Sequence, residues 1–522
     1  MTQFAVVAAR RPRPPIGLFA AGSGVALLIA LPLLFLLLQA FQVGWTELSA
    51  LLFRRLTLTL LWNTISLTAV VTLTCAVAGT GAAWSIERTE FPGRRVLGTL
   101  LVVPLAIPDF VVAFGWTSVA PPVHGFWGAS LVMTLGLYPL VYVPVAASLR
   151  SADPAQEESA RSLGVGPLCT FWKVTLRQSR AALLGGCLLV ALALLAEYGA
   201  FEMLRYQTFT TTIFTEFEVG FNPPAACALA LVLVALGLLI VGGETLIPDR
   251  GRTARSASLG SGTRVRRHLG RAMLPTVATL ALLPVLALGV PIGVIGYWLV
   301  RGGPSTLPAT TSVLGAAMNT GCYSGLAAAM TTLLAIPVAL LSVRHRSVST
   351  RVIERSTYLI QGLPGLVIAL ALVYFSIHYV ALLYQSSALL ILAYAMLFFP
   401  LALVAVRASV LRAPVGLEEV ARSLGRHPLL VQMRVTLPLI APGLAAAFCL
   451  VFLLGVTELT TTLLLVPTGA QTLSTQFWAF TQNVSYAAAA PYAAAMIGIA
   501  VVPSYLLQRW FNRAARTAPV IP

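Results

Sequence analysis

The sequence predicts an all-α polytopic membrane protein with about 12 transmembrane helices arranged as two parallel six-helix repeats. Three observations predict it. Of the 522 residues, 58% are hydrophobic and only 10% charged, against roughly 25% charged in a soluble globular chain, so the surface cannot be wetted by its own ions. Twelve mostly apolar segments approach the length of about 20 residues that a helix needs to cross the hydrocarbon. And the stretch Glu157-Glu158-Ser159-Ala160-Arg161-Ser162-Leu163-Gly164 recurs half a chain later as Glu418-Glu419-Val420-Ala421-Arg422-Ser423-Leu424-Gly425.

The twelve segments cover residues 16–41, 60–84, 96–120, 126–149, 181–200 and 224–241 in the first half, and 273–300, 314–343, 358–380, 388–406, 439–465 and 487–507 in the second. The first follows Arg10, Arg11 and Arg13 as a signal peptide would. Its apolar run exceeds the roughly 7–15 residues of such a peptide's core, so it is expected to be a retained helix. Weaker echoes extend the repeat: Asn63-Thr64 with Asn319-Thr320, Pro108 with Pro364, Pro139 with Pro400, and Glu197 with Glu458. The expected organisation is a first half over 1–247, a basic linker over 248–271 and a second half over 272–522. Six is an even number, so both halves enter the membrane the same way, and the pathway is expected between them.

The basic residues orient the chain. With the N-terminus in the cytoplasm, thirty of the 34 Lys and Arg residues fall in cytoplasmic segments, and only Arg54, Arg55, Arg205 and Arg301 fall outside. Positive charge accumulates on that side, so both termini are expected there. The net charge of +17 is therefore a topology signal and not a nucleic-acid footprint. Lys173 is the single lysine and follows no glycine run, which excludes a phosphate loop in this chain. The six cysteines stand singly without a CxxC, and the histidines form no HxxxH or HExxH. No metal site and no catalytic centre is expected; the chain reads as a non-enzyme.

The fourth and fifth segments of each half are separated by about 30 residues, well above the usual connection. In the first copy Asp153 can cap a helix, Pro154 suits its first turn, and Gln156, Glu157 and Glu158 place acceptors and negative charge at its positive end. Gly164 stops it, and a second short helix restarts at Pro167. The other copy repeats this plan with Pro414, Gly425 and Pro428. Two short helices meeting at a glycine make a knob whose Leu163, Leu168, Phe171 and Trp172, or Leu424, Leu429, Leu430 and Met433, could fill a groove in a partner. An amphipathic segment resting on the lipid interface is the competing reading.

Glu419-Val420-Ala421, Gly425 six residues after the glutamate, and Val435-x-Leu437-Pro438 resemble the EAA motif of binding-protein-dependent ABC importer permeases. Glu158-Ser159-Ala160, Gly164 and Val174-x-Leu176 match likewise, except that Arg177 stands where the motif has proline, and Ser159 and Val420 depart at its second position. The resemblance implies coupling-helix loops over 150–180 and 407–438 that dock into two copies of a separate ABC ATP-binding subunit, which holds the ATP and Mg; no cofactor is implied for this chain. It implies Glu157, Glu158, Ala160, Gly164, Glu418, Glu419, Ala421, Gly425 and Pro438 as coupling residues. Within the knobs, Glu158 and Glu419 are expected to fix the orientation and Gly164 and Gly425 to permit the sharp turn. An extracytoplasmic substrate-binding protein, a lipid surround and a bacterial inner-membrane location follow from the same resemblance.

Acidic residues inside spans cost roughly 2.5–3.5 kcal/mol at the centre by insertion scales, so Asp109, Glu197 and Glu458 need a reason. Glu197 and Glu458 occupy equivalent places in the fifth helix of each half. Two readings stand: they line one pathway, or they sit hydrated at outer helix ends. Asp109, after Pro108, is the third candidate pathway residue: it reads first as the cap of a broken helix, with contact to cargo as the alternative. The threonines at 208 and 210–212 and at 460–462 supply pathway hydroxyls or back-bond to their own helices. Fused double-length permeases with one motif per half look most like the ferric-iron class, and Thr457-Glu458-Leu459-Thr460 with Leu463 to Pro467 is similar to that class. Ferric iron is the expected cargo. Thiamine, polyamine, sulfate or phosphonate importers, and an ion-coupled secondary transporter, are the alternatives.

Overall fold

The computed structural model describes residues 15–152, 154–245, 267–268, 270–345 and 347–516. Asp153 and nearly all of the basic linker lie outside the described residues. Among the described residues, ten helices are long and apolar enough to cross a membrane, from Ile16–Gln39 to Tyr486–Ser504. In hydrocarbon every backbone N–H and C=O must find its partner inside the segment, which is why helix is the structure these runs adopt. Among the described residues the strand pairing is a two-residue parallel bridge, Thr89–Glu90 with Arg267–His268.

Two of the twelve expected spans are corrected. The third of each half is a bent pair: Arg94–Ala106 with Asp109–Val119 at 97°, and Val348–Gly362 with Gly365–Tyr379 at 105°. Pro108 and Pro364 lie at the breaks with extended ψ of 140° and 149°. Proline has no N–H to continue the ladder and pushes the preceding residue out of helical geometry, so the chain turns there. Counting each bent pair as one span restores twelve.

The described chain packs as two compact units. One holds residues 39–313 and 473–497. Within it, the helices Arg55–Arg88, Gly125–Ser151 and Leu176–Ala196 form the core, and Val141 is the point where two glycines let backbones touch. A Cβ on Gly79 would come within 2.9 Å of the Tyr138 carbonyl, and one on Gly186 within 2.8 Å of the Val141 Cα. Small residues at such points are how membrane helices approach closely without a hydrophobic drive. The same unit includes Val290–Arg301, whose Pro291 lies against Gly115, and Leu473–Gln482, whose Phe477 meets Phe110 and Phe114 at 5.5 and 5.4 Å.

The other unit holds residues 1–38, 314–472 and 498–522. Here Thr310–Arg344 and Ser387–Arg412 join Leu437–Thr457, and the first helix of the chain lies among them, with Phe35 stacked on Tyr374 at 5.9 Å. The sequence repeat and the packing units therefore have different boundaries: the first helix packs with second-half residues, and the seventh expected span with first-half residues.

Val484 ends the helix Leu473–Gln482 with φ 58°, a left-handed conformation that a β-branched side chain fits poorly. Its side chain is exposed, so nothing is gained by keeping it. Val484→Asn is expected to raise the thermal midpoint in detergent, by about 1 kcal/mol of relieved strain, and a lower midpoint would contradict this account.

Candidate functional site: two coupling knobs

Both knobs are present, with the same backbone. The first runs as Pro154–Ser162, then Pro167–Thr170, then one π-helical turn over Phe171–Thr175 that feeds the span Leu176–Ala196. The second runs as Val415–Ser423, Pro428–Val431, a π turn over Gln432–Thr436 and Leu437–Thr457. Pro438 is the second residue of that last helix, which continues directly from the π turn with Thr436 in helical conformation. Arg177 occupies the same place in the first copy, yet both copies form the π turn, so the proline is not what makes it.

Each knob helix ends in the same hydrogen-bonded stop. Gly164 N–H donates to the Arg161 carbonyl at 2.9 Å and Val165 N–H to Ala160 at 3.0 Å; Gly425 donates to Arg422 at 2.9 Å and Arg426 to Ala421 at 3.2 Å. This pairing satisfies carbonyls the helix end would leave free, and it requires a left-handed residue between the two. Gly164 at φ 79° and Gly425 at φ 78° supply it.

The glutamates divide their roles differently from the expectation. Glu158 and Glu419 are exposed, whereas Glu157 and Glu418 are buried. Glu157 Oε1 lies 3.0 Å from the Arg88 guanidinium and accepts the Thr175 hydroxyl at 3.0 Å, while Arg161 approaches its other oxygen at 3.8 Å. Glu418 Oε1 lies 3.0 Å from Arg344, and Arg422 stands 3.7 Å from Oε2. The residues that hold the knobs are thus Glu157 and Glu418, because their helical position faces the long-helix ends and their neighbours' position faces away. Arg88 and Arg344 are the residues that sequence reasoning missed, having been counted only as topology charges. The signal was available: both close the long helix that contains the Asn-Thr echo, and each stands the same distance after it.

The outward faces differ. Leu163 and Leu424 are the most exposed apolar tips, at 82% and 76%, and Trp172 and Met433 are exposed at equivalent positions. Phe171, expected on the partner-facing surface, instead packs edge-on against Trp84 at 5.8 Å. The side chains of Leu168 and Leu429 lie outside the described residues. Where the second knob exposes Leu417 and Val420, the first exposes Gln156 and Ser159, and Gln156 is held by Gln178 at 2.8 Å.

The three intramembrane acids lie at breaks in helices. Glu197 follows Leu176–Ala196 and accepts the Ala200 N–H at 2.7 Å; its carbonyl takes the Thr210 hydroxyl at 2.5 Å. Glu458 follows Leu437–Thr457, accepts the Thr461 N–H and hydroxyl at 3.0 and 2.9 Å, and its carbonyl takes the Thr462 hydroxyl at 2.7 Å. A carboxylate facing the N-terminal amides of a short helix is placed as the helix dipole favours. Thr208 and Thr211 close a capping box on each other, and Thr462 is bonded to Tyr394. The Thr208 and Thr211 hydroxyls are engaged within their own loop, whereas Thr462 ties its segment to the helix Ser387–Arg412. Asp109 is not the cap of its helix: Pro108 holds that place, and Asp109 is the first helical residue, its carboxylate against Gly136.

The family model for the binding-protein-dependent transport system inner membrane component matches twice, over residues 76–250 and 332–517, each match containing one knob. Among curated proteins, the Fe(3+)-transport system permease protein FbpB 2 of Haemophilus influenzae is 41% identical over 505 residues, covering 95% of this chain and 99% of that one. Sulfate permease 2 (chloroplastic) of Chlamydomonas reinhardtii is 30% identical over 45% of this chain and 69% of its own length. The sulfate transport system permease protein CysT of Salmonella typhimurium is 29% identical over 42% and 86%. With its two family matches and its paired knobs, the chain belongs to the inner membrane components of binding-protein-dependent transport systems.

Proposed function

We propose that this chain is the fused permease of an ATP-driven ferric-iron importer. The observation that carries the reading is the end-to-end match to the ferric permease, which extends through both repeats, whereas the sulfate permeases align with less than half of the chain. On this reading both termini and both knobs are cytoplasmic, as the distribution of basic residues indicates. Each knob seats in one of two copies of an ATP-binding subunit that holds the ATP and Mg, and an extracytoplasmic binding protein delivers the cargo. The exposed Glu158 and Glu419 face the partner. Glu197 and Glu458 hold the helix breaks, so any contact with cargo is secondary to that duty.

The test is reconstitution in liposomes with the ATP-binding and binding-protein partners. ATP inside and iron-loaded binding protein outside are expected to drive radioactive iron inward. Uptake of sulfate or thiamine with no iron uptake would displace the cargo assignment. Uptake that continues without ATP and collapses with the ion gradient would identify a secondary carrier instead.

A further inference from the structure

The knob helices are almost bare of apolar anchorage. In Val415–Ser423 the one buried side chain is Glu418, and in Pro154–Ser162 the one buried among the described side chains is Glu157. Each of these carboxylates is paired with an arginine that is the last residue of a long helix, Arg55–Arg88 or Thr310–Arg344. The paired side chains are themselves 7% to 13% exposed. Exposed ion pairs add little, but a buried one resists separation, because pulling it apart strands a charge out of water. A guanidinium at a helix C-terminus is also where the helix dipole favours a cation.

We propose that Arg88 and Arg344 are positioning residues that carry movement of each knob into the long membrane helix it terminates. This rests on the importer reading above and concerns how its two knobs are tied in. The geometry makes the ion pair a tether: a knob that shifts against the membrane must drag the helix end with it or break a buried pair. In the first copy the tether has a third strand, since the Thr175 hydroxyl binds the same Glu157 oxygen at 3.0 Å and so joins the π turn to the helix end. In the second copy the equivalent Thr436 hydroxyl is buried without a partner, and Arg344 divides itself between Glu418 at 3.0 Å and the Ala413 carbonyl at 2.9 Å. The second tether therefore depends more heavily on its arginine than the first.

The experiment uses the reconstituted complex and reads iron transported per ATP hydrolysed, together with the amount of ATP-binding subunit retained. Arg344→Gln is expected to lower transport per ATP roughly tenfold, within the usual size of coupling effects between sites, and Arg88→Gln to lower it less. The charge-exchanged pair Arg344→Glu with Glu418→Arg is expected to recover coupling, as is Arg344→Lys in part. Recovery on exchange is the result that a packing role alone does not produce. Normal transport per ATP in Arg344→Gln overturns the tether, as does an exchanged pair that assembles fully yet remains uncoupled. Should Arg344→Gln not assemble, the exchanged pair and Arg344→Lys decide in the same way. An unsubstituted complex that hydrolyses no ATP with iron-loaded binding protein refutes the importer reading itself, and the tether with it.

Discussion

Gly136→Leu is expected to abolish the recovery of folded protein from membranes, and adding Asp109→Gly to the same chain is expected to restore most of it. A Cβ on Gly136 would overlap the Asp109 carboxylate, in a helix whose surrounding positions are buried. Overpacking a core by itself costs about 1–3 kcal/mol, and here the displaced group is an acid inside an apolar span, where moving it is costly. The second repeat shows the alternative solution. Gly365 follows Pro364 as Asp109 follows Pro108, and Leu397 precedes Pro400 as Gly136 precedes Pro139. Where the first repeat pairs an acid with a glycine, the second pairs a glycine with a leucine, and a Cβ on Gly365 would lie 3.2 Å from the Leu397 side chain. The double substitution therefore copies a packing the protein already uses. The reverse change alone, Gly365→Asp, has no such precedent: its Cβ would stand 2.6 Å from the Thr461 hydroxyl and 3.2 Å from the Glu458 carboxylate. Yield of monodisperse protein and its thermal midpoint in detergent measure both effects. A Gly136→Leu chain as stable as the parent, or a double variant no better than the single, would sink the argument.

That exchange was not legible in the sequence, although its four residues were, because each half offers only one side of the contact. The spans were legible, since a hydrocarbon solvent imposes one rule on every segment. The bends at Pro108 and Pro364 were half legible: proline marks a break, but whether the chain continues or turns by about a right angle is decided by what packs against it. The knobs were the most legible part, because a glycine stop, a proline restart and an acidic first turn are local devices. What escaped there was the partner of the glutamate. Glu157 and Glu158 are adjacent and chemically identical, and only the distant Arg88 determines which of them is buried. The grouping of the first helix with second-half residues also escaped, since hydropathy states that a helix crosses the membrane and not which neighbours it crosses beside.

Gly425→Val is expected to cut iron uptake by the assembled importer by more than tenfold while barely moving the thermal midpoint of the chain. At φ 78° a β-branched side chain costs about 1–2 kcal/mol through clash with its own carbonyl. The knob helix has little with which to absorb it, being nine residues long with one buried side chain, and isolated helices of that length are marginal. The strain is relieved most cheaply by opening the final turn. That releases the bonds from Gly425 to Arg422 and from Arg426 to Ala421 and swings Leu424 and Val420 away from the surface they share with Leu417. The span below is anchored by its own packing and remains in place, which separates this effect from unfolding. Gly164→Val strains the same bonds, but the face it disturbs carries Gln156 and Ser159 in place of Leu417 and Val420. Less apolar contact is lost there, so a smaller defect is expected. Retention of the ATP-binding subunit, measured beside iron uptake, would show whether contact or transmission fails first. Uptake undiminished in Gly425→Val would mean that the left-handed stop is dispensable and that the knob's orientation is fixed by Glu418 alone.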